Sequence, residues 1–227
     1  LPPGNYTLVT WVKQPSSRTA TYDSFASTPY TLSGCPSVNM TVNTTSTAAV
    51  GSTVAVSSTA GGCSSPLYAF WYLPPGGSWT QAQGYSTSGS WSWNTNGLLP
   101  GNYTLVTWVK QQGSGTATYD SFASTTYTLS GCTSVTLNGS PASSAAAGSS
   151  IAFIALASGC PNPLYAFWIK PPGGAWQELR GYGSSGSWTW NTAGYPPGSY
   201  TVVVWAKQQG SGVATYDIYI SQPFSLG

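Results

Sequence analysis

The chain has 227 residues and a net charge of +2, and only 4% of its residues are charged. This charge is too small and too dispersed for a nucleic-acid-binding surface, while 41% hydrophobic residues argue against intrinsic disorder. No apolar run approaches the roughly 18 residues that span a bilayer, so no membrane span is expected.

The most informative feature is an internal repeat. The string PGNY at 3–6 returns at 100–103, and a relative, PGSY, lies at 197–200, so both offsets are 97 residues. A period of this length exceeds that of solenoid repeats and matches a small domain with a core of its own. We therefore expect tandem domains rather than a solenoid.

The repeat gives the domain bounds. Residues 35–131 and 132–227 are predicted to be two complete domains. Residues 1–34 correspond to the last third of a preceding domain, and they differ from residues 98–131 at only five positions. This segment would supply only two strands of a domain, either as part of a longer array or as a hairpin donated to another subunit.

Within the first complete domain, short alternating segments lie between turn signals. In chain order they read SVNMTVN, STVAVSST, LYAFWYL, SWSWNT, NYTLVTWVK and ATYDSFASTTYTL. About seven strands in fewer than 100 residues are typical of an immunoglobulin-like sandwich. The predicted fold class is therefore all-β, with tandem immunoglobulin-like antiparallel β-sandwich domains. The strands are named A, B, C, E, F and G, with a short C′ near Trp79.

Strand phase predicts which side chains face the core. Lys110 on strand F should face water, which places Tyr103, Leu105 and Val109 in the core. On strand C, the same argument directs Phe70 inward and its neighbour Trp71 outward.

The cysteines follow the same 97-residue offset. In a sandwich of this type strand A begins at the pole where strand B ends, so Cys35 should pair with Cys63, and Cys132 with Cys160. Two such disulfides indicate an oxidising, extracellular location. Metal binding is the weaker alternative, because two cysteines without histidine do not complete a zinc site.

The aromatic pattern resembles the triple-tyrosine-motif type of Ig-like repeat, which occurs in tandem in bacterial cell-surface and secreted proteins. The matching residues are Tyr68, Phe70, Trp71, Trp79, Tyr85, Trp91, Trp93, Pro100, Gly101, Tyr103, Tyr119 and Asp120, with Tyr165, Phe167, Trp168, Trp176, Tyr182, Trp188, Trp190, Tyr200, Tyr216 and Asp217 in the second domain. The resemblance implies a non-catalytic module of a multidomain surface protein.

The inventory of reactive side chains argues against catalysis. There are four acidic residues and no histidine, so neither a general base nor an activated serine is expected. No catalytic residue, cofactor or metal site is predicted. Lys110 and Asp120 flank the F–G hairpin, where a surface ion pair is the simplest interpretation.

An apolar patch is predicted on the outer face of the C–F–G sheet, which in antiparallel sheets is normally polar. Such patches mark interfaces. The patch residues are Trp71, Val106, Trp108 and Phe122 in the first domain and Trp168, Val203, Trp205 and Tyr219 in the second. Three interpretations are open: lateral protein packing within a fibre, an aromatic platform for sugar, or cover by a loop or neighbouring domain.

Several asparagines lie in N-x-Ser/Thr sequons. Asn39, Asn43, Asn102 and Asn138 are candidate glycosylation sites, although such triplets also arise by chance in a chain this rich in Asn and Thr.

Together these features favour a structural repeat of an extracellular bacterial filament or surface fibre. Rigid, disulfide-stapled sandwiches would pack through exposed aromatic faces, with other copies of the chain as partners. The alternative is a carbohydrate-binding or adhesin module of a cell-surface protein or secreted enzyme, with glycans as partners.

Overall fold

The secondary structure consists of β-strands in the computed structural model, which describes residues 1–42 and 45–227. The strands are β1 Gly4–Val12, β2 Ser24–Leu32, β3 Ser37–Val42, β4 Thr47–Ala49, β5 Thr53–Gly61, β6 Pro66–Leu73, β7 Thr80–Ser86, β8 Ser90–Asn94, β9 Gly101–Gln111, β10 Ser121–Ser130, β11 Ser134–Ser140, β12 Ser144–Ala145, β13 Ser150–Ser158, β14 Pro163–Lys170, β15 Gln177–Gly183, β16 Ser187–Asn191, β17 Gly198–Gln208 and β18 Ile218–Leu226.

These strands form two sandwiches of the same topology, here called unit 1 and unit 2. Unit 1 pairs a three-stranded sheet, β3-β5-β8, with a five-stranded sheet, β4-β10-β9-β6-β7. Unit 2 repeats this with β11-β13-β16 and β12-β18-β17-β14-β15. In immunoglobulin nomenclature the sheets are A-B-E and A′-G-F-C-C′, so the predicted all-β tandem sandwich is confirmed.

Two details differ from the predicted strands. The short A′ strand β4 pairs in parallel with β10, and three residues carry no alternation from which it could be predicted. Strand G begins at Ser121 rather than at Ala117, because residues 116–120 form a loop that folds around the carboxylate of Asp120.

The two sheets of each unit meet over aromatic rings. Trp93 on strand E is 1% exposed and contacts Tyr103 on strand F with their ring centroids 5.2 Å apart. Trp190 and Tyr200 repeat the contact at 5.2 Å in unit 2. Each such pair adds about 0.5–1.5 kcal/mol beyond the burial of its area, so the tryptophans of strand E are central to both cores.

Strand F begins with a tyrosine corner in each repeat. The hydroxyl of Tyr103 donates to the carbonyl of Leu99 over 2.9 Å, and that of Tyr200 donates to the carbonyl of Pro196 over 2.7 Å. The hydrogen bond satisfies a phenol that is buried between the sheets, and it fixes the chain as it enters strand F.

Both disulfides are formed, as predicted. Cys35 and Cys63 have Cα atoms 4.8 Å apart, and Cys132 and Cys160 have Cα atoms 4.6 Å apart. Each bond ties the start of strand A to the chain just after strand B, at the pole of the unit that faces the preceding repeat.

Residues 1–34 form a two-stranded antiparallel sheet, β1-β2, here called the N-terminal hairpin. Its strands correspond to F and G, but their inward-facing side chains lack an opposing sheet among the described residues. Leu8 is 56% exposed and Tyr30 is 51% exposed, whereas the equivalent Leu105 and Tyr127 are at most 1% exposed.

Successive repeats meet at a junction formed by the F–G turn of the later one. The F–G turn is defined as residues 111–115 in unit 1 and 208–212 in unit 2. In unit 2, the carbonyl of Gly210 accepts a hydrogen bond from the amide of Gly97 over 2.8 Å. The amide of Gly212 donates to the carbonyl of Leu98 over 2.9 Å.

The same junction joins the N-terminal hairpin to unit 1. The amide of Gly115 donates to the carbonyl of Leu1 over 2.8 Å, which is the Gly212–Leu98 bond shifted by one repeat. One junction geometry therefore occurs twice along the chain.

We predict that Tyr103→Phe destabilises unit 1 by about 1 kcal/mol, since it removes a hydrogen bond and leaves the Leu99 carbonyl without that donor. Urea unfolding followed by tryptophan fluorescence measures the change. Tyr6→Phe is the matched control: its hydroxyl donates to Pro2 over 2.6 Å but lies in the exposed hairpin, so stability should be unchanged. Equal effects of the two variants would contradict a stabilising role specific to the core.

Candidate functional site

The predicted outer patch forms a pocket in each complete unit. The first aromatic pocket encloses about 300 Å³ and is lined by Trp71, Trp79, Val106, Trp108, Tyr119 and Phe122. The second encloses about 280 Å³ and is lined by Trp168, Trp176, Val203, Trp205, Tyr216 and Tyr219. The patch residues predicted in each unit thus lie together, and two further aromatic residues join them.

Strand register explains how the tryptophans meet. Trp71 on strand C lies opposite Val106 on strand F, and Trp108 lies opposite Ala69, so the two indoles are diagonal neighbours. Diagonal positions are within reach of aromatic side chains. The ring centroids of Trp71 and Trp108 are 4.8 Å apart.

The row of rings continues into the F–G hairpin. Tyr119 lies 5.1 Å from Trp108 and 5.3 Å from Phe122, measured between ring centroids. Unit 2 repeats the row through Trp168, Trp205, Tyr216 and Tyr219, with spacings of 4.6, 5.2 and 4.9 Å.

The N-terminal hairpin carries the F–G part of the same row. Trp11 lies 5.4 Å from Tyr22, and Tyr22 lies 5.3 Å from Phe25. The outer aromatic face is therefore present in all three repeats.

The patch has a buried floor and an exposed rim. Val106 and Val203 face outward as predicted, but they are only 7% and 4% exposed because the indoles cover them. The rim is open: Phe122 is 55% exposed and Tyr219 is 50% exposed. Within residues 1–42 and 45–227, no loop or neighbouring repeat covers these rings.

Strand phase did not identify Trp79, Trp176, Tyr119 and Tyr216 as pocket residues. Trp79 lies before strand C′ and Tyr119 lies in the loop before strand G, and alternation along a strand does not predict the direction of loop side chains. The available signal was their recurrence at the 97-residue offset.

Polar side chains border both pockets. Gln81 lies opposite Trp71 across strands C′ and C, and Ser124 lies opposite Val106 across strands G and F. In unit 2, Glu178 occupies the position beside Trp168. Apolar walls with a few polar groups nearby are typical of ligand pockets as well as of protein interfaces.

The loop that carries Tyr119 is held by the carboxylate of Asp120. Oδ2 accepts hydrogen bonds from the amides of Gln111, over 2.8 Å, and Cys35, over 3.0 Å. Oδ1 accepts from the hydroxyls of Thr116, over 2.8 Å, and Ser114, over 3.2 Å. This single side chain connects the F–G turn to the start of strand A.

The expected ion pair between Lys110 and Asp120 is replaced by other contacts. Asp120 is occupied by the amides and hydroxyls just described, while the Lys110 ammonium lies 4.3 Å from the ring centroid of Tyr85. The hydroxyl of Tyr85 donates to the carbonyl of Thr118. Burial, together with the charge of Asp120, raises the pKa of Tyr85 to about 12, so this phenol stays protonated and able to donate at alkaline pH values where an ordinary tyrosine ionises.

Three of the four candidate glycosylation sites lie on the surface. Asn39 on β3, Asn102 on β9 and Asn138 on β11 are all exposed, and Asn102 accepts a hydrogen bond from the hydroxyl of Thr128 over 2.8 Å. Asn43 lies outside the described residues. Attachment of sugar remains a prediction at all four.

The described residues contain neither a metal-ligand cluster nor a membrane-spanning helix. Among them, no group of three His, Cys, Asp or Glu side chains is placed to hold a metal ion. The same ranges contain no helix with the length and hydrophobicity needed to cross a bilayer. The two disulfides and the immunoglobulin-like fold indicate an extracellular or secreted protein.

Comparisons with known proteins identify no family for this chain. No family model and no curated protein matches this chain. A segment of two fibronectin type III domains from chicken tenascin is 13% identical, with a TM-score of 0.37, over 82% of this chain and 97% of that one. The human OSCAR ligand-binding domain is 12% identical, with a TM-score of 0.27, over 82% of this chain and 94% of that one.

We predict that unit 1 loses stability in acid through Asp120. Burial acts to raise the pKa of this carboxyl, but the hydrogen bonds from Gln111, Cys35, Thr116 and Ser114 outweigh burial and lower the pKa below its ordinary value. A lowered pKa in the folded state means that the stabilisation is present above the unfolded pKa of about 4 and is lost as the pH falls through the folded value.

The measurement is the melting temperature of the chain between about pH 6 and pH 2. Asp120→Asn should lower it at neutral pH and flatten its acid limb, because the titrating group is gone. NMR titration of the Asp120 carboxyl carbon tests the pKa directly. A midpoint at or above that of an ordinary aspartate would refute the assignment.

Proposed function

We propose that this chain is a non-catalytic structural segment of an extracellular filament or surface fibre, in which sandwiches are joined end to end and associate laterally through their aromatic pockets. The observation that carries the proposal is the repeated junction, in which Leu1–Gly115 and Leu98–Gly212 make the same hydrogen bond. Repetition of one head-to-tail contact extends a chain of units into a helical rod.

The junction leaves little freedom between units. A side chain at Gly131 would lie 2.5 Å from the Asp217 carboxylate and 2.8 Å from Pro100, so the linker between strands G and A is enclosed. Gly34 is enclosed in the same way by Pro3 and Asp120. A linker of only three or four residues that is packed on both sides supports a stiff rod rather than flexibly tethered domains.

The pockets provide the lateral contacts in this proposal. Their rims expose Trp79, Phe122, Trp176 and Tyr219 to roughly half of their full area, and exposed apolar patches of this kind mark interfaces. Because the net charge is only +2 over 227 residues, little repulsion opposes side-by-side packing of rods.

Carbohydrate binding is the second candidate, and a specific observation favours it. Gln81 and Ser124 lie at the edge of the first pocket beside its rings, an arrangement of apolar surface with adjacent hydrogen-bonding groups that suits a sugar ring. On this hypothesis the pockets stay open in the assembled material and bind glycans instead of protein.

We predict that the double variant Phe122→Ser/Tyr219→Ser abolishes lateral association while each unit keeps its melting temperature within a few degrees, because these half-exposed rings contribute little to either core. Electron microscopy and light scattering of the full chain measure association. Trp108→Ser should have the same effect on association, with a larger loss of stability because its ring packs against that of Trp71.

Ile154→Ser is the matched control, since Ile154 is 59% exposed but belongs to the A-B-E sheet. It should leave association unchanged. The lateral-packing proposal would be refuted if wild-type rods never associate, or if the double variant associates as well as the wild type. Glycan-array binding that is lost in Gln81→Ala would instead support the carbohydrate candidate.

A further inference from the structure

The differences between residues 1–34 and residues 98–131 are concentrated in the F–G turn. The turn reads QQGSG at 111–115 and at 208–212, but QPSSR at 14–18. Residues 1–34 differ from residues 98–131 at five positions in all, and three of them are in this turn. The third copy diverges on strands F and G yet keeps QQGSG, so the turn varies independently of the strands that it connects.

The last glycine of QQGSG is required by the junction and not by the turn. Neither Gly115 nor Gly212 has a positive φ, so a side chain would be compatible with the local backbone. However, a Cβ on Gly115 would lie 2.7 Å from the carbonyl carbon of Leu1, and one on Gly212 would overlap the carbonyl oxygen of Gly97. The equivalent residue in the N-terminal hairpin is Arg18.

The central glycine serves both the turn and the junction. Gly113 and Gly210 have φ values of 78° and 84°, as expected at the third position of a type II turn. A Cβ on Gly210 would lie 2.7 Å from the Cα of Gly51 in the preceding unit. Ser16 replaces this glycine and has no positive φ, and with Pro15 before it the sequence suits a type I turn, whose central peptide is reversed.

The substitutions leave the rest of the turn intact. The amide of Ser17 still donates to the carbonyl of Gln14 over 2.9 Å. Asp23 still accepts from the amide of Gln14 over 2.7 Å and from the hydroxyl of Thr19 over 2.8 Å. The QPSSR turn is therefore held by the same carboxylate, and what has changed is the surface that would meet a preceding unit.

From this we propose that the F–G turn determines which repeats lock onto their predecessor. A QQGSG turn forms the rigid junction, whereas a QPSSR turn does not, because Arg18 and Ser16 occupy space that the preceding unit needs. The repeat that includes residues 1–34 would therefore not be held rigidly against a preceding unit, and the rod could bend at that point. The proposal depends on the observed junction and not on lateral packing, so each can fail separately.

The test places the QPSSR sequence in unit 2 of the full chain, as Q209P/G210S/G212R. The readout is amide hydrogen exchange at Gly97, which lies in unit 1, is not mutated, and donates to Gly210 across the junction. We expect exchange at Gly97 to accelerate by about tenfold, in line with the loss of one backbone hydrogen bond. Core amides of both units should keep their protection, and small-angle X-ray scattering should show a broader distribution of maximum dimensions.

Two further variants keep the test decisive. Gly212→Arg alone is compatible with the turn conformation, because Gly212 has no positive φ, and it should also break the hydrogen bonds of the junction. This variant serves as the test if the triple variant disturbs the folding of unit 2. Gly183→Arg is the control, because a Cβ there meets nothing within 4 Å, and Gly97 should stay protected. Persistent protection of Gly97 in both turn variants, with unchanged scattering, would overturn the proposal.

Discussion

The organisation of this protein depends on one partly buried carboxylate in each complete unit. Asp120 accepts hydrogen bonds from the F–G turn of its own unit and from the amide of Cys35, where the chain arrives from the preceding repeat. Asp217 does the same with Gln208 and Cys132. Because one oxygen atom serves both partners, the shape of the turn and the path of the linker are fixed together.

This arrangement connects the ends of a unit to its outer face. The loop that Asp120 holds also carries Tyr119, which lies between Trp108 and Phe122 in the first pocket. The pocket and the junction are therefore built on the same hairpin, one on its strands and the other on its turn. Only Asp120 and Tyr119 separate the turn from the pocket rings, so a shift of the turn at the junction would move the pocket wall. End-to-end joining and lateral contact would then be coupled through this hairpin.

Sequence reasoning reached the fold because the relevant constraints are local and periodic. Alternation on strand F places Leu105 and Val109 in the core, and both are fully buried; the 28-residue spacing of Cys35 and Cys63 matches one pole of a sandwich. Strand alternation did not predict the contacts of Asp120, for which an ion pair with Lys110 is the simplest interpretation. Its carboxylate instead accepts from the backbone amides of Gln111 and Cys35, and the second of these lies 85 residues away in the sequence. Alternation also placed Val106 and Val203 on the outer face without predicting their burial, since it gives the side of the sheet but not what covers it.

The same limit explains why the junction could not be derived from the repeat alone. Glycines in a hairpin turn are ordinarily attributed to backbone conformation, and for Gly113 and Gly210 their positive φ supports that interpretation. Gly115 and Gly212 have no such requirement, and their purpose emerges only when the carbonyl groups of the preceding unit are placed beside them. A glycine that recurs where φ is ordinary is thus evidence that another backbone approaches closely. In this chain the close approach at Gly115 and Gly212 fixes the position of each repeat relative to the one before it.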